Sequence, residues 1–465
     1  MKFKFILLFI LFFVQSSVYA KKADTIVIRV TPKGINHAKL IQNALAYKTQ
    51  QPLKILLDGT FRVNKTLTTV QNHTVISFIN NSKIIFTDSN NSGIALANDF
   101  CTVKNGTLEG TGRSSSDFYK GYGILVYGSS HNTISNMTLK KISGHNIFFI
   151  QRKNGCKSNI IRNNRILEPA FYLGSLGDEA GILLGYSGNN YMHEDNIVED
   201  NYIDGNNMLK IGIGIIGHGS GNIFRRNKVF NCLNYGILSY ESEYTDLHLY
   251  NTQIIDNYVK NVGEIGTRTT VKGMGIYLMK SKNSKVSGNV VLNTLRNSDQ
   301  TETLGPGAIS ISISPNTFVE KNTIDGSFMY GLVSDYSFGS FFRNNTISNT
   351  RKSGAYFINM NNAEVSGNIF KNIGATAIKG YFETTKLPYI LNSKHTLNTD
   401  TYKNIDTGNN FKITGNKFYT DKDVLYFEGT AVEKTRPYGN KIKNNIIENN
   451  EVIGATKKQE NLFHF

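Results

Sequence analysis

The chain has 465 residues, three cysteines and a formal charge of +16 from 51 basic and 35 acidic residues. Cys101, Cys156 and Cys232 are odd in number and far apart, which excludes both a disulfide framework and a cysteine metal site. A balance this basic suits a polyanionic partner, but the chain lacks the aromatic-rich recognition motif that nucleic acid would require.

Met1 to Ala20 carries two lysines, an apolar run from Phe5 to Val14 and a Val18-Tyr19-Ala20 cut site, the pattern of a secretory signal peptide. Its removal takes away Lys2 and Lys4 and no acid, leaving +14. No later stretch is long and apolar enough for membrane insertion, so the expected location is secreted or periplasmic. Residues 21–57 read as an N-terminal cap. Within it Ile35, Ala38, Leu40, Ile41, Ala44 and Leu45 recur at helical spacing between Ile35 and Thr49, followed by a first strand at Lys54 to Leu57 and an Asp58-Gly59 turn.

From there the chain repeats one phrase, a polar residue, an aliphatic pair and a closing asparagine. It reads NTISNM from Asn132, NIIRNN from Asn159, NIVEDN from Asn196, NIFRRN from Asn222 and, late in the chain, FKITGN from Phe411 and NKIKNN from Asn440. The closing asparagines are Asn164, Asn201, Asn227, Asn257, Asn289, Asn322, Asn345, Asn368, Asn416 and Asn445, and their shortest spacing is 23 residues. Apolar residues alternate, as in Ile309-Ser-Ile-Ser-Ile313, so each repeat is strands and turns rather than helices. Asparagine accepts left-handed backbone angles and its amide bonds the amide one rung away, which explains a stacked ladder in the turn. Self-similarity at this period marks a solenoid.

The repeat, from roughly Asp58 to Asn450, resembles the right-handed parallel β-helix of the pectin-lyase-like superfamily. The resemblance implies an all-β, single-stranded right-handed parallel β-helix with an N-terminal cap helix, a single domain over 58–450 and a tail at 451–465. The superfamily holds lyases, glycosidases, epimerases and depolymerases, so the fold alone does not select an activity.

Insertions relative to the bare rung fall at Glu168 to Ala180, Glu241 to Asn251, Glu264 to Gly273, Arg296 to Gly307 and Thr384 to Asn409. Their crowding on the middle rungs suggests the walls of a binding groove. The strand before each phrase sends Ile182, Ile213, Ile237 and Ile276 inward and its other residues outward. Stacking then gathers Tyr186, His218, Tyr240, Glu241 and Lys280 beneath the insertions. These residue types suit β-elimination at a uronic acid, which needs the carboxylate neutralised, a base for the C5 proton and an acid for the leaving oxygen. Lys280, Lys282, Arg268 and Lys272 are candidates for the first role, and His218, Tyr240 or Lys280 for the others. Glu241 and Glu243 are alternatives as catalytic groups or as Ca²⁺ ligands. Tyr186, Tyr240 and Tyr277 offer sugar-stacking rings. The rival is a glycoside hydrolase drawing two carboxylates from Asp178, Glu179, Glu241, Glu243 and Asp335. Gly217-His218-Gly219 is similar to the Gly-His-Gly of polygalacturonases, but Asn398-Thr399-Asp400 follows it and no Asp-Asp pair lies between. The Asp-Pro-His-Asp signature of mannuronan epimerases is absent. The expected partner is an acidic polysaccharide; oligomeric state and cofactor stay open, as do epimerisation and non-catalytic glycan binding.

Overall fold

A computed structural model describes residues 24–91, 93–113, 120–150, 155–170, 179–185, 192–241, 249–263, 273–295, 306–382, 384–386, 404–428, 445–453 and 463–464. The repeated phrase folds as two short strands joined at a bend, and these strands stack in parallel into a sheet of 27 strands among the described residues, here sheet I. The aliphatic strand preceding each phrase stacks into a 14-stranded sheet II, and five two-residue strands form sheet III at the corner between them. All pairings are parallel except Thr384–Lys386 with Asn404–Asp406, which form an antiparallel hairpin stem inside the late insertion. The chain is therefore a solenoid whose faces are the sheets.

Alternation puts one column of each strand inside. Ile182, Ile213, Ile237, Ile276, Ile309 and Leu332 lie in register on successive rungs and are fully buried. Burying each such side chain contributes about 1.5–3 kcal/mol, and a rung cannot do so alone because its neighbours form the walls. The glycine opening each sheet II strand answers to this crowding. A Cβ on Gly236 would lie 2.4 Å from Val259 Cγ1 and 2.5 Å from the Gly275 carbonyl oxygen.

The bend in sheet I is fixed by the asparagine ladder. Asn289 is typical: its side-chain Nδ2 donates to the Ile254 carbonyl (2.9 Å) and to Asn322 Oδ1 (2.9 Å). Its Oδ1 accepts from both the backbone N–H (2.9 Å) and the Nδ2 (3.0 Å) of Asn257. Two details differ from the sequence expectation. The left-handed angle belongs to the residue before each ladder asparagine, such as Asp200 (φ 56°), Asp256 (φ 54°) and Gly288 (φ 68°), because the asparagine itself must turn its amide inward. The last rung also closes on Asn450, whose Oδ1 accepts from Asn416 Nδ2 at 3.0 Å over 34 residues. Asn445 instead receives the Phe411 N–H (2.7 Å) at the entrance to the same rung, so the phrase starts at Asn445 and not at Asn440. A second ladder, Asn132, Asn159, Asn196 and Asn222, runs along the entrance turn. It passes to hydroxyl groups beyond, with Ser284 Oγ accepting from the Thr252 N–H (3.2 Å).

The N-terminal helix is His37–Leu45, shorter than the 35–49 stretch, because the Asn36 side chain caps it by accepting from the Lys39 N–H (3.0 Å). Ala38, Ile41, Ala44 and Leu45 are buried as their spacing requires, whereas Ile35 precedes the cap and is fully exposed. Gln42 completes the covering role: its Oε1 accepts from the Thr68 N–H (2.9 Å) and its Nε2 donates to the Thr68 carbonyl (3.0 Å), satisfying the end strand of sheet II. No turn forms at Asp58-Gly59. The strand runs Leu53–Val63 with a register shift there, since Gly59 (φ 125°) absorbs the irregularity and its N–H donates to Ser82 Oγ (2.6 Å). Ile26–Val30 pairs in front of it, so the ladder starts earlier than expected. At the other end it continues through Glu451–Ile453 and Phe463–His464, within what the sequence presents as a tail. Among the described residues no helix is long and apolar enough to cross a membrane.

Candidate functional site on the outer face of sheet II

Outside the central core, sheet II carries two apolar and aromatic clusters, built from outward residues of its strands together with the first residue of several of them. One gathers Phe148, Leu183, Leu238, Tyr235 and Met274, with Tyr240 and Tyr277 at its margin; the other holds Tyr330, Val333, Tyr356 and Ile358, with Tyr381 beside it. These cluster members are themselves buried, and Tyr240, Tyr277 and Tyr381 at the margins are the part-exposed rings. The insertions sit at the ends of these strands in sequence, and most of their residues, including Asp178, Glu243, Arg268 and Lys272, lie outside the described residues, as does Tyr186.

Where the two patches meet, the ladder brings polar chemistry together. Tyr277 stacks on Tyr235 one rung away, with centroids 5.7 Å apart and planes 12° from parallel. One rung on, Ser312 donates from Oγ to Asp335 Oδ2 (2.9 Å). Burial raises the Asp335 carboxyl to about 6 against the opposing pull of the Ser312 hydrogen bond. Burial also pushes the Tyr277 phenol well above its ordinary range, with the nearby Asp335 and Tyr235 adding to the shift and Ser312 opposing it. The result is a carboxyl that titrates close to neutrality beside a phenol that keeps its proton. The first is suited to accepting a proton near neutrality; the second is a weak acid that gives up its proton only to a base as strong as a departing alkoxide.

The second cluster lies at the corner where sheet II turns into sheet III. His218 Nε2 is 3.6 Å from Glu241 Oε1, and the two side chains are 5% and 1% exposed. His193, one rung below, places Nε2 2.7 Å from the Gly185 carbonyl oxygen, and burial lowers its pKa to about 4, so its ring is neutral. Lys280 occupies the same corner in a left-handed conformation (φ 56°), buried, with its backbone N–H donating to the Ser312 carbonyl (2.9 Å).

Of the residues that sequence reasoning gathers, the structure brings His218 and Glu241 into contact, with Tyr240 next to Glu241 in the chain and Lys280 following the residue that pairs with Tyr240 on the next rung. However, the His218–Glu241 pair is turned into the corner rather than toward the outer face. Tyr240 interacts electrostatically with Tyr277 and links the corner to the trio. Lys282 is carried round the corner onto sheet III, its Nζ 5.6 Å from the Tyr250 ring centroid, away from the outer face of sheet II. Glu179 is buried at the start of its strand with Lys210 Nζ at 4.0 Å, several rungs from Asp335. Ser312 and Tyr235 are not among the residues the sequence singles out, although the alternation of Ile309-Ser-Ile-Ser-Ile313 points Ser312 outward. Among the described residues no group of three or more histidine, cysteine, aspartate or glutamate side chains is arranged to hold a metal ion.

A family model described as the right-handed β-helix region matches residues 92–298 and 269–393. The chain belongs to the right-handed β-helix family. Among solved right-handed β-helices, the catalytic unit of a thermostable α-1,3-glucanase from Streptomyces thermodiastaticus is 14% identical with a TM-score of 0.58, over 76% of this chain and 63% of that one. The chain therefore spans less than two thirds of the glucanase unit. A surface adhesin of Streptococcus pneumoniae is 15% identical with a TM-score of 0.56, over 75% and 88%. The A-module of a mannuronan C-5 epimerase from Azotobacter vinelandii is 11% identical with a TM-score of 0.50, over 91% and 95%. At these identities the likeness is one of fold. No curated protein sequence matches the chain.

Proposed function

We propose that the protein is an exported enzyme that cleaves an acidic polysaccharide laid along the outer face of sheet II, by β-elimination at a uronic acid. The observation that carries this reading is the trio of Tyr277, Ser312 and Asp335. A carboxyl raised to about 6 is mostly ionised at neutrality yet far more basic than an ordinary carboxylate, the condition in which one group serves as an effective base. In the reaction Asp335 takes the proton from C5 of the uronate. The electron pair left there forms the C4–C5 double bond, and the C4 glycosidic oxygen departs with the proton given by the Tyr277 phenol. Ser312 holds the Asp335 carboxylate in place, Tyr235 and Tyr240 floor the sugar, and the Lys280 corner supplies positive charge toward the substrate carboxylate. The His218–Glu241 pair acts as the brace that fixes this corner.

Hydrolysis is the second reading, because a raised carboxyl also suits the general acid of a glycosidase, and the α-1,3-glucanase shares the fold. It requires a second carboxylate on the same face, which the described residues around Asp335 do not supply. The mature protein incubated with galacturonan, alginate and sulfated polysaccharides, with and without Ca²⁺, decides between the two. Ultraviolet absorbance of an unsaturated uronate together with new reducing ends supports elimination. New reducing ends without that absorbance refute it in favour of hydrolysis.

A further inference from the structure

The outer face of sheet I carries rings and cations together over four successive rungs. In one column Arg165, Tyr202, Lys228 and Tyr258 succeed one another in ladder register, and beside them on the same strands Asp204, Phe230 and Lys260 do so. These side chains point outward because the residues that alternate with them, Ile166, Ile203, Val229 and Val259, are fully buried. The three rings form one ridge: the Phe230 centroid lies 5.3 Å from that of Tyr202 and 5.6 Å from that of Tyr258, with planes tilted by 37° and 45°. The Arg165 guanidinium carbon is 5.4 Å from the Tyr202 centroid, so the ridge begins with a cation held on a ring.

Elsewhere on this wall cations meet carboxylates: Lys83, Lys140 and Lys141 surround Glu109, Arg225 and Arg226 share Glu199, Lys285 pairs with Glu320 and Arg343 with Glu364. Arg165, Lys228 and Lys260 form no ion pair among the described residues. The carboxylate in their two columns, Asp204, is engaged by hydrogen bonds from the Asn206 N–H (3.0 Å) and Asn231 Nδ2 (2.8 Å), which leaves three cations against one acid. Arg165 and Lys228 are exposed, and the three rings and Lys260 are part-exposed. In the first column cation and ring alternate with a repeat of two rungs, about 9.6 Å at about 4.8 Å per rung, close to the length of two sugars in an extended chain. Rings packed on one another leave no slot for an inserted base, but a sugar can lie across such a ridge by its C–H face while its anionic group reaches a cation. A second copy of the chain docked by the same face would set like charges together.

We infer that this face of sheet I is a second, non-catalytic binding surface for a linear acidic polysaccharide. Tyr202, Phe230 and Tyr258 support the sugars, and Arg165, Lys228 and Lys260 hold the anionic groups. The surface lies on a different wall of the solenoid from Asp335 and does not rest on the reaction proposed there. A chain long enough to touch both walls is held at two places, so affinity rises with polymer length beyond what sheet II alone gives.

Calorimetric titration of the full mature chain tests it with polygalacturonate, alginate, neutral dextran and oligothymidylate, in Asp335→Asn so that no polymer is consumed. At least one polyuronate is expected to bind, more weakly as salt rises, and dextran to bind at least about tenfold more weakly. Replacing Arg165, Lys228 and Lys260 together by Gln should weaken the better polyuronate about tenfold or more, as should Tyr202→Leu with Tyr258→Leu. Arg165→Lys with Lys228→Arg and Lys260→Arg, which keeps every charge, should bind like the parent and so exclude misfolding as the cause. Unchanged affinity in either weakened set overturns the surface, as does failure of both polyuronates to bind or equal binding of dextran. Oligothymidylate bound as tightly as the polyuronate overturns it in favour of nucleic acid. Self-association in sedimentation that the Gln variant abolishes overturns it in favour of a second copy. Cation-dependent binding without any product from the wild type sinks the lyase and leaves the surface standing, and product formation with binding indifferent to the three cations does the reverse.

Discussion

Asp335 gives the account a thermodynamic signature that does not depend on knowing the substrate. Its carboxyl titrates at about 6 in the folded chain against 3.8 as an isolated group, because burial disfavours the charged form more than the Ser312 hydrogen bond favours it. The folded state therefore holds this proton more tightly than the unfolded state. Stability from this source is fully present below about pH 4, declines as pH rises and is lost above about pH 6. A difference of about two units corresponds to about 3 kcal/mol. Partial exposure of the residue at the surface screens it, so about 2 kcal/mol is the expected size. Asp335→Asn keeps an acceptor for Ser312 and removes the titration. Relative to wild type, the variant should gain about 2 kcal/mol between pH 4 and pH 7.5, read as the change in guanidinium denaturation free energies at the two pH values. Comparing the variant with the wild type at each pH cancels the other titrating groups. An unchanged difference between the two proteins across that range would refute the burial of this carboxyl.

Other expectations concern the scaffold and its thiols. Asn289→Ala strands the buried Asn257 N–H and the Ile254 carbonyl and should cost about 3–5 kcal/mol in the same denaturation assay; a loss below about 0.5 kcal/mol would mean that the ladder is decorative. Gly236→Ala drives a Cβ into Val259 and the Gly275 carbonyl, so a loss of about 2 kcal/mol or more is expected, and an unchanged midpoint would contradict the crowding at that corner. Burial raises the thiol of Cys156 to about 12 and pushes those of Cys101 and Cys232 upward as well. All three should resist a thiol reagent in the native protein near pH 8 and react once it is unfolded; rapid labelling of the native chain would show that the rungs open there.

The solenoid was legible because its determinants are local and repeated. Alternating aliphatic residues face a core that every rung shares, and asparagine recurs because only its amide both donates to and accepts from its copy on the next rung. The ends were harder to read. At Asn445 and Asn450 two asparagines with similar neighbours serve different turns, and only pairing tells them apart. At Asp58 a glycine bulge replaces the turn that the dipeptide suggests. The site was legible as a row and not as a geometry. Period two placed Tyr240, Tyr277 and Asp335 outward on sheet II, but it fails at the corner, where left-handed Lys280 and the Gly217–His218 turn break the alternation. That is why His218, which looks exposed by parity, is buried against Glu241. The Asp335 carboxyl is set by its burial in the stack and by Ser312 from the neighbouring rung, which no single stretch of sequence carries.

The central claim is that the trio on sheet II moves the proton. The direct measurement is the turnover of the best polysaccharide by wild type, Asp335→Asn and Tyr277→Phe, with oligosaccharide affinity measured alongside. The account predicts that each substitution lowers kcat by about 10²–10⁴-fold while affinity changes by less than about tenfold, and that the wild-type rate rises with an ionisation near pH 6. Wild-type turnover in both variants would contradict it.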